Sequence, residues 1–571
     1  MKLLLLAHAF NGLTQRLHVA LREAGHEVCV ELDIADAVTE EAVALADPDL
    51  VIAPFLKRRI PESVWSVRPC LVVHPGPPGD RGPAALDWAV LDGVRDWGVT
   101  VLQATGDYDA GPVWAWQPVV LRKGATKASL YRHEITRAAV AAVLAALARF
   151  SPGQALPAPL AVPAAGHGWR GPVPAAQRAI DWARDDSDSV LRKLRSADGH
   201  PGIADTLLGR ACRLHDAHPA TPATLAHAPA GAPGTVVARR GPALLRRTVD
   251  GGVWIGHVRE GVLKLAATRA FAAEAAALPE LAVPLERDAA EWDELHYAES
   301  GPADARVGLL RFDFHNGAMS TRQCERLRDA LRWARGRPTK VLVLGGGADF
   351  FSNGIHLHDI EACADGDGDS AADASWRNIQ AMNDVVLELL TLDDRVTVAM
   401  LAGNAGAGGC FLAFAADLVW AHAGVVLNPH YKNMGNLYGS EYWSYTLPRR
   451  AGAQGAAVMQ RRLPTGAREA ASLGLVDAVL GADAAELQAR AATEAAALAA
   501  AYDHAQRIAD KQRQRAADEA RRPLAEHREA ELQHMHRNFY GFDPSYHVAR
   551  HHFVTRKPHA WTPRHLATHR K

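Results

Sequence analysis

Over the first 150 residues, short apolar runs alternate with helix-length segments of mixed polarity. Leu3 to Ala7, Val28 to Leu32, Leu50 to Phe55, Leu71 to His74 and Val99 to Gln103 are predicted strands; helices are predicted to start near Leu13 and Ala84 and to span Leu130 to Phe150. Strands and helices in alternation form an open parallel sheet. Ser151 to Val173 mixes Pro, Ala and Gly, propagates neither helix nor sheet well, and reads as a linker. Arg178 to Asp216 is helical and polar in character. After a loose stretch from His218 to Pro233, the β-like runs of Thr235 to Val258 are broken by Gly241, Gly251 and Gly252, which predicts a small, partly β middle domain. A hydrophilic passage, Glu286 to Ala305, precedes a second large α/β unit whose predicted buried strands are Val307 to Phe312, Val341 to Leu344 and Val396 to Leu401. Beyond Leu480 the chain turns Ala-, Glu- and Arg-rich, a composition for long helices.

The pattern gives an α/β multidomain protein with domains over residues 1–150, 174–283 and 306–571, the last ending in a helical tail. Length agrees, since 571 residues exceed one ordinary core. Lys plus Arg (63) nearly cancels Asp plus Glu (64), so no global basic field exists to hold nucleic acid or an anionic membrane. The apolar start, Leu3 to Ala7, is too short for a signal core or a membrane span. Cys29, Cys70, Cys212, Cys324, Cys363 and Cys410 are scattered with no CxxC pair, which fits a reducing cytoplasm. The 27 histidines include His534, His536, His551 and His552, but none at zinc-ligand spacing, so no metal is expected.

Candidate chemistry in the first half begins at the end of a predicted strand, with His74-Pro75-Gly76-Pro77-Pro78-Gly79-Asp80-Arg81-Gly82. Ligands bind at such strand-end loops in open α/β sheets. A strand, Gly98-Val99-Thr100, and an acidic turn, Asp109-Ala110-Gly111, follow. Taken singly, a His-Pro or an Asp-x-Gly is a turn. In this order they resemble the formyltransferases that use 10-formyltetrahydrofolate, over about the first 150 residues, and Arg178 to Val258 is similar to that family's smaller C-terminal domain. The resemblance implies attack of a nucleophile on the formyl carbon, a tetrahedral oxyanion, and a His and an Asp that manage charge and protons, here His74 and Asp109. The family's Asn two residues before the His is Val72 here, so one oxyanion donor is absent and a different acceptor is implied. Asn11 and Gln15, after the first strand, and Arg81 in the glycine loop are expected to contact folate or the acceptor.

In the second half two glycine-bearing loops follow predicted strands, Phe351-Ser352-Asn353-Gly354-Ile355 and Gly403-Asn404-Ala405-Gly406-Ala407-Gly408-Gly409. Backbone N–H groups from two such loops suit a thioester oxygen. The pair resembles the crotonase (enoyl-CoA hydratase/isomerase) superfamily from about Arg306 to Leu480, with Ile355 and Gly408 as the implied oxyanion donors. Where hydratases of that family carry two glutamates, this chain has Phe411 and His430, which argues against water addition. The run Pro429-His430-Tyr431-Lys432 and Tyr438-Gly439-Ser440-Glu441-Tyr442-Trp443 follows, and Tyr431 with Glu441 is the preferred proton-handling pair. Packing is the expected role of Tyr438 and Trp443. Arg449 and Arg450 are expected either to bind coenzyme A phosphates or to be a solvated helix start.

The fusion of these halves, with the tail Phe539-Tyr540-Gly541, Tyr546-His547 and Phe553-Val554, resembles the hydrogenase maturation family HypX (HoxX) over nearly the whole chain. That resemblance implies a source of carbon monoxide for a nickel-iron hydrogenase: formyl passes from 10-formyltetrahydrofolate to coenzyme A, and the crotonase module decarbonylates formyl-CoA. It implies both small molecules as substrates, hydrogenase maturation proteins as partners, and a pantetheine arm shared between the sites. Two other readings stay open, a hydrolase that releases formate and a formyltransferase with a non-catalytic CoA-binding scaffold.

Overall fold

The computed structural model describes residues 1–162, 167–364 and 369–570. They divide into two compact units: Met1–Glu260 with Ala266–Pro279 and Pro558–Lys571, and Gly261–Leu265 with Glu280–Lys557. Among the described residues no helix is long and apolar enough to cross a membrane.

The first unit opens with β1 (Lys2–Ala7), α1 (Gly12–Glu23), β2 (Glu27–Leu32), β3 (Leu50–Phe55), β4 (Cys70–His74), β5 (Asp96–Gln103) and β6 (Val113–Val120). They pair in the order β2-β1-β3-β4-β5-β6. The first four run parallel, as the βαβ rhythm predicts, whereas β5 pairs antiparallel with β4 and β6 antiparallel with β5. The reversal lets β5 return the chain beside His74, with His74 opposite Thr100. Burial on both faces explains the uninterrupted leucines, and Leu3, Leu4 and Leu5 are fully buried.

The middle of this unit carries α2 (Ser187–Ala197) and five antiparallel strands, β7 (Ile203–Leu207), β8 (Arg210–Pro219), β9 (Val236–Arg240), β10 (Ala243–Arg247) and β11 (Gly252–Glu260), in the order β9-β10-β11-β8-β7. Val190, Leu191 and Leu194 of α2 pack against Leu214 and Ile255 of the sheet. The helical reading of Arg178 to Asp216 is therefore corrected beyond Ala197: β7 lies wholly in that stretch and β8 begins in it. His215 and Asp216 stand where a plain strand alternation would be easiest to see, and they mask it.

Residues 558–570 also belong to the first unit, a correction to the domain reading that ran them on with the second. They lie along β2, the edge of the sheet: the Val30 N–H donates to the Leu566 carbonyl at 3.0 Å and the Leu32 N–H to Thr562 Oγ1 at 2.9 Å. Glu31, fully buried between them, receives His569 Nε2 at 2.9 Å and Arg570 Nε at 2.7 Å.

In the second unit the sheet runs β12 (Leu295–Ser300), β13 (Val307–Phe312), β14 (Val341–Gly346), β15 (Val396–Leu401), β16 (Leu418–Ala421) and β17 (Ala478–Val479) in chain order, parallel except for the antiparallel edge pair β12–β13. The hydrophilic passage before Arg306 thus contains an edge strand. Two helices on this sheet begin with reciprocal capping boxes, α3 (Thr321–Arg335) at Ser320/Gln323 and α4 (Ala371–Leu390) at Ser370/Asp373. The seven-residue α5 (Gly408–Phe414) is buried at every position. The helix α6 (Trp443–Ala451) follows the polar aromatic run, and the tail forms α7 (Ala484–Ala500), α8 (His504–Arg521), α9 (Leu524–Tyr540) and α10 (Ser545–Val554), the long helices that composition predicts.

Candidate functional site

In the first unit, β4 ends on His74, whose side chain is 3% exposed. The loop after it is tied to β5, because Trp97 Nε1 donates to the Pro75 carbonyl and Thr100 Oγ1 to the Gly76 carbonyl, both at 2.8 Å. These ties fold Asp80 back onto the imidazole, with Oδ1 2.8 Å from His74 Nε2. Gly76 has to be glycine, since a Cβ there would sit 2.5 Å from both of those atoms. On the other side of the ring, Asp109 places Oδ2 3.5 Å from His74 Nδ1 and accepts the Gly82 N–H at 3.0 Å. His74 and Asp109 meet as predicted, and sequence reasoning missed Asp80. Its place inside a Gly-Asp-Arg-Gly loop was the signal that could have found it.

Val72, where the formyltransferases have Asn, packs against an apolar cluster that includes Leu4 and Val51. Asn11 caps α1 through Thr14 and also meets the Tyr131 side chain, and Gln15 Nε2 donates to the Phe10 carbonyl at 3.0 Å. Arg81 is exposed, on a two-residue strand that pairs with Gly168–Trp169. Hydrogen bonds join none of these three to His74 among the contacts described.

In the second unit, Phe350–Ser352, Asn404–Gly406 and Val426–Asn428 form a small sheet that carries the two glycine loops. A Cβ on Gly354 would lie 3.3 Å from the Gly408 nitrogen, so the loops that bear Ile355 and Gly408 adjoin. Beside them sits Glu441, 2% exposed. A Cβ on Gly408 would lie 2.9 Å from the Glu441 carboxyl carbon, which puts the acid directly against the expected oxyanion position. Tyr431 is stacked on Phe411 with ring centres 5.3 Å apart, so Phe411 serves as a platform for the tyrosine. The Tyr431 hydroxyl lies between the Glu441 carboxyl, at hydrogen-bond distance, and the Ser440 carbonyl at 2.9 Å. The Tyr431 hydroxyl donates to the Glu441 carboxyl, with the Ser440 carbonyl as its second acceptor.

Burial pushes the Glu441 carboxyl up to about 7, against the pull of its bond from Tyr431. Burial and the adjacent Glu441 drive the Tyr431 hydroxyl well above its usual range. The acid therefore titrates near neutrality, as a general base or acid requires, while the phenol stays protonated.

Arg449 and Arg450 occupy the last turn of α6, not its start. Arg450 donates to the carbonyls of Phe414 at 3.0 Å and Ala416 at 2.6 Å and pairs with Asp477 at 2.9 Å; Arg449 pairs with Asp518 at 3.0 Å. Both line a cavity of about 420 Å³ at the C-terminal end of α5, whereas Glu441 meets its N-terminal end. The structure does not bring them to Tyr431 and Glu441, because the buried α5 stands between. Tyr438, stacked on His534 at 4.0 Å, packs as expected. Asn383 and Glu531, which underlie the Glu441 turn, were not foreseen, and a polar residue inside a helical run gives no signal of its burial.

Residues 305–564 match the enoyl-CoA hydratase/isomerase family model, and residues 172–275 match the formyl transferase C-terminal domain. The chain is 54% identical to the hydrogenase maturation factor HoxX of Bradyrhizobium diazoefficiens, over 100% of this chain and 97% of that protein. Methionyl-tRNA formyltransferase of Variovorax paradoxus is 28% identical over 35% of this chain and 61% of its own. The crystal structure of HypX from Aquifex aeolicus in complex with tetrahydrofolic acid superposes with a TM-score of 0.93 at 44% identity, covering 100% of this chain and 99% of that one.

Proposed function

Because the chain belongs to the HypX/HoxX family of hydrogenase maturation factors and joins a formyltransferase-type half to an enoyl-CoA hydratase-type half, we propose that it makes carbon monoxide from 10-formyltetrahydrofolate through formyl-CoA. Tetrahydrofolate in the Aquifex relative supports the folate half of this reading. In the first step the coenzyme A thiol attacks the formyl carbon and the thiol proton passes to His74. The C–N bond then breaks, the proton goes to the departing folate nitrogen, and formyl-CoA is left. Asp80 and Asp109, one on each side of the imidazole, hold the ring in place for the transfer.

In the second step the N–H groups of Ile355 and Gly408 hold the thioester carbonyl, and the Glu441 carboxylate removes the formyl proton. The C–H electron pair stays on carbon, the C–S bond breaks to give CO and thiolate, and Glu441 returns the proton to sulfur. Tyr431 steadies the carboxylate through the cycle. One observation carries this reading: a buried carboxyl that titrates near neutrality rests against Gly408, where a thioester carbonyl would bind. Formyl-CoA has no alkene for the absent hydratase glutamates to serve.

The test is incubation of the purified protein with 10-formyltetrahydrofolate and coenzyme A, with CO trapped on haemoglobin and formate assayed in parallel. CO that is lost in Tyr431→Phe and Glu441→Gln is the expected result. Formate alone would identify a hydrolase instead, and neither product would leave a CoA-binding scaffold.

A further inference from the structure

The turn that presents Glu441 has an uncommon backbone. Glu441 and Tyr442 are consecutive non-glycine residues in the left-handed region, with φ of 63° and 57°. Each such residue costs on the order of 1 kcal/mol, and the conformation persists only where the surroundings over-determine it. Two helices do so here. From α4, Asn383 Oδ1 accepts the Glu441 N–H at 2.7 Å and the Ser440 hydroxyl at 2.8 Å. From α9, Glu531 accepts the Tyr442 N–H on Oε2 at 2.9 Å and the Ser444 N–H on Oε1 at 2.8 Å, with the Ser444 hydroxyl on the same Oε1 at 2.6 Å. His527, one turn earlier on α9, meets that hydroxyl through Nδ1 at 2.9 Å. Glu531 is fully buried, an expensive place for a carboxyl unless all its lone pairs are used.

We propose that Glu531 is a positioning residue for Glu441: its two oxygens clamp the backbone on the far side of the left-handed turn and thereby hold the acid against Gly408 and Tyr431. The role rests on the decarbonylation reading only for the rate it affects. Both oxygens are needed as acceptors, one for each backbone N–H, and that requirement selects a carboxyl group over an amide. A glutamine there offers one acceptor and sets its NH2 against the other N–H. Once the clamp fails, the turn relaxes and Glu441 moves away from its buried seat. Burial, with the neighbouring Glu441, pushes the Glu531 carboxyl up to about 8. The other groups that face the turn are Tyr431, Cys324 from α3, Asp384 from α4, which is paired with Arg528 at 2.6 Å, and His527. Relaxation leaves these in place, and by returning the Glu441 carboxyl to water it moves its titration toward the ordinary carboxyl range.

The experiment compares full-length wild type with Glu531→Gln, supplied with synthetic formyl-CoA. CO release is followed across pH, and the protonated Glu441 carboxyl is read by infrared difference spectroscopy, its band assigned with Glu441→Gln. Glu531→Gln is expected to keep KM, to lose turnover on the order of a hundredfold, as misplaced catalytic groups do, and to shift the Glu441 midpoint to lower pH. Asn383→Ala, which loosens the same turn from the other side, is expected to give the same signature and carries the test if Glu531→Gln fails to fold. A folded variant of either kind with wild-type turnover and an unmoved Glu441 midpoint would overturn the proposal. If wild type makes no CO but the midpoint still moves in Glu531→Gln, the decarbonylation reading falls and the clamp stands.

Discussion

At the scale of single residues, the two sites share a design in which one titratable side chain is buried and its neighbours decide what it does. Glu441 binds a proton in the folded state over a range where the unfolded chain has released it. A raised carboxyl pKa makes the folded state lose stability as pH climbs from the ordinary glutamate range through about 7. The difference amounts to roughly 3 kcal/mol. Glu441→Gln is therefore expected to melt above wild type at pH 8.5 and to converge with it near pH 4, which thermal unfolding at both values checks. CO formation has the opposite sense: it should rise with pH through about 7, as the carboxylate that takes the formyl proton appears. In the first site, Asp80→Asn keeps the shape of the contact to His74 but removes its charge. Formyl transfer, followed as tetrahydrofolate release, should slow by about a hundredfold. The approach of His74 and Asp109 was legible in the sequence because their turns follow one another in the order that resembles the formyltransferases. Asp80 was not, because its role depends on a loop that closes back on the strand that precedes it.

At the scale of elements, the loops of the second site are shaped by close approaches that a strand-and-helix reading does not register. Gly439, with φ of 99°, lies under the Tyr431 ring, which a Cβ there would overlap. Gly439→Ala should displace the tyrosine and stop CO release while formyl transfer continues, so that formyl-CoA accumulates and is detected by mass. Continuous apolar strands such as β3 and β15 were read correctly, since burial on both faces leaves an unmistakable run. The strand β8 was missed because His215 and His257 are buried across from each other on β8 and β11, where apolar residues would have marked the pairing. The helix α9 was recognised from composition, yet nothing in its alternating charges distinguishes the buried Glu531 from the exposed acids around it. The two glycine loops that bear Ile355 and Gly408 were legible in the sequence, whereas the contact that places Glu441 beside Gly408 joins residues 33 apart in the chain and is a property of packing alone.

At the scale of the molecule, the first unit is assembled from separated parts of the chain. Among the described residues, Glu31 finds its charge partners, His569 and Arg570, in residues 558–570. Removal of those residues would take away these partners and open β2 and the Glu31 carboxylate to water. A chain that stops at Lys557 is expected to show a lowered melting transition for the first unit and an unchanged one for the second, which calorimetry with two resolved transitions would check.

The return of the tail to β2 also sets an order of events on the ribosome. Everything the second unit needs has been translated by Lys557, but the first unit, begun earliest, lacks its last pieces until thirteen more residues emerge. The half that is synthesised first is thus completed last, and a gene split between the two halves would yield a formyltransferase-type fragment without the segment that seals its sheet.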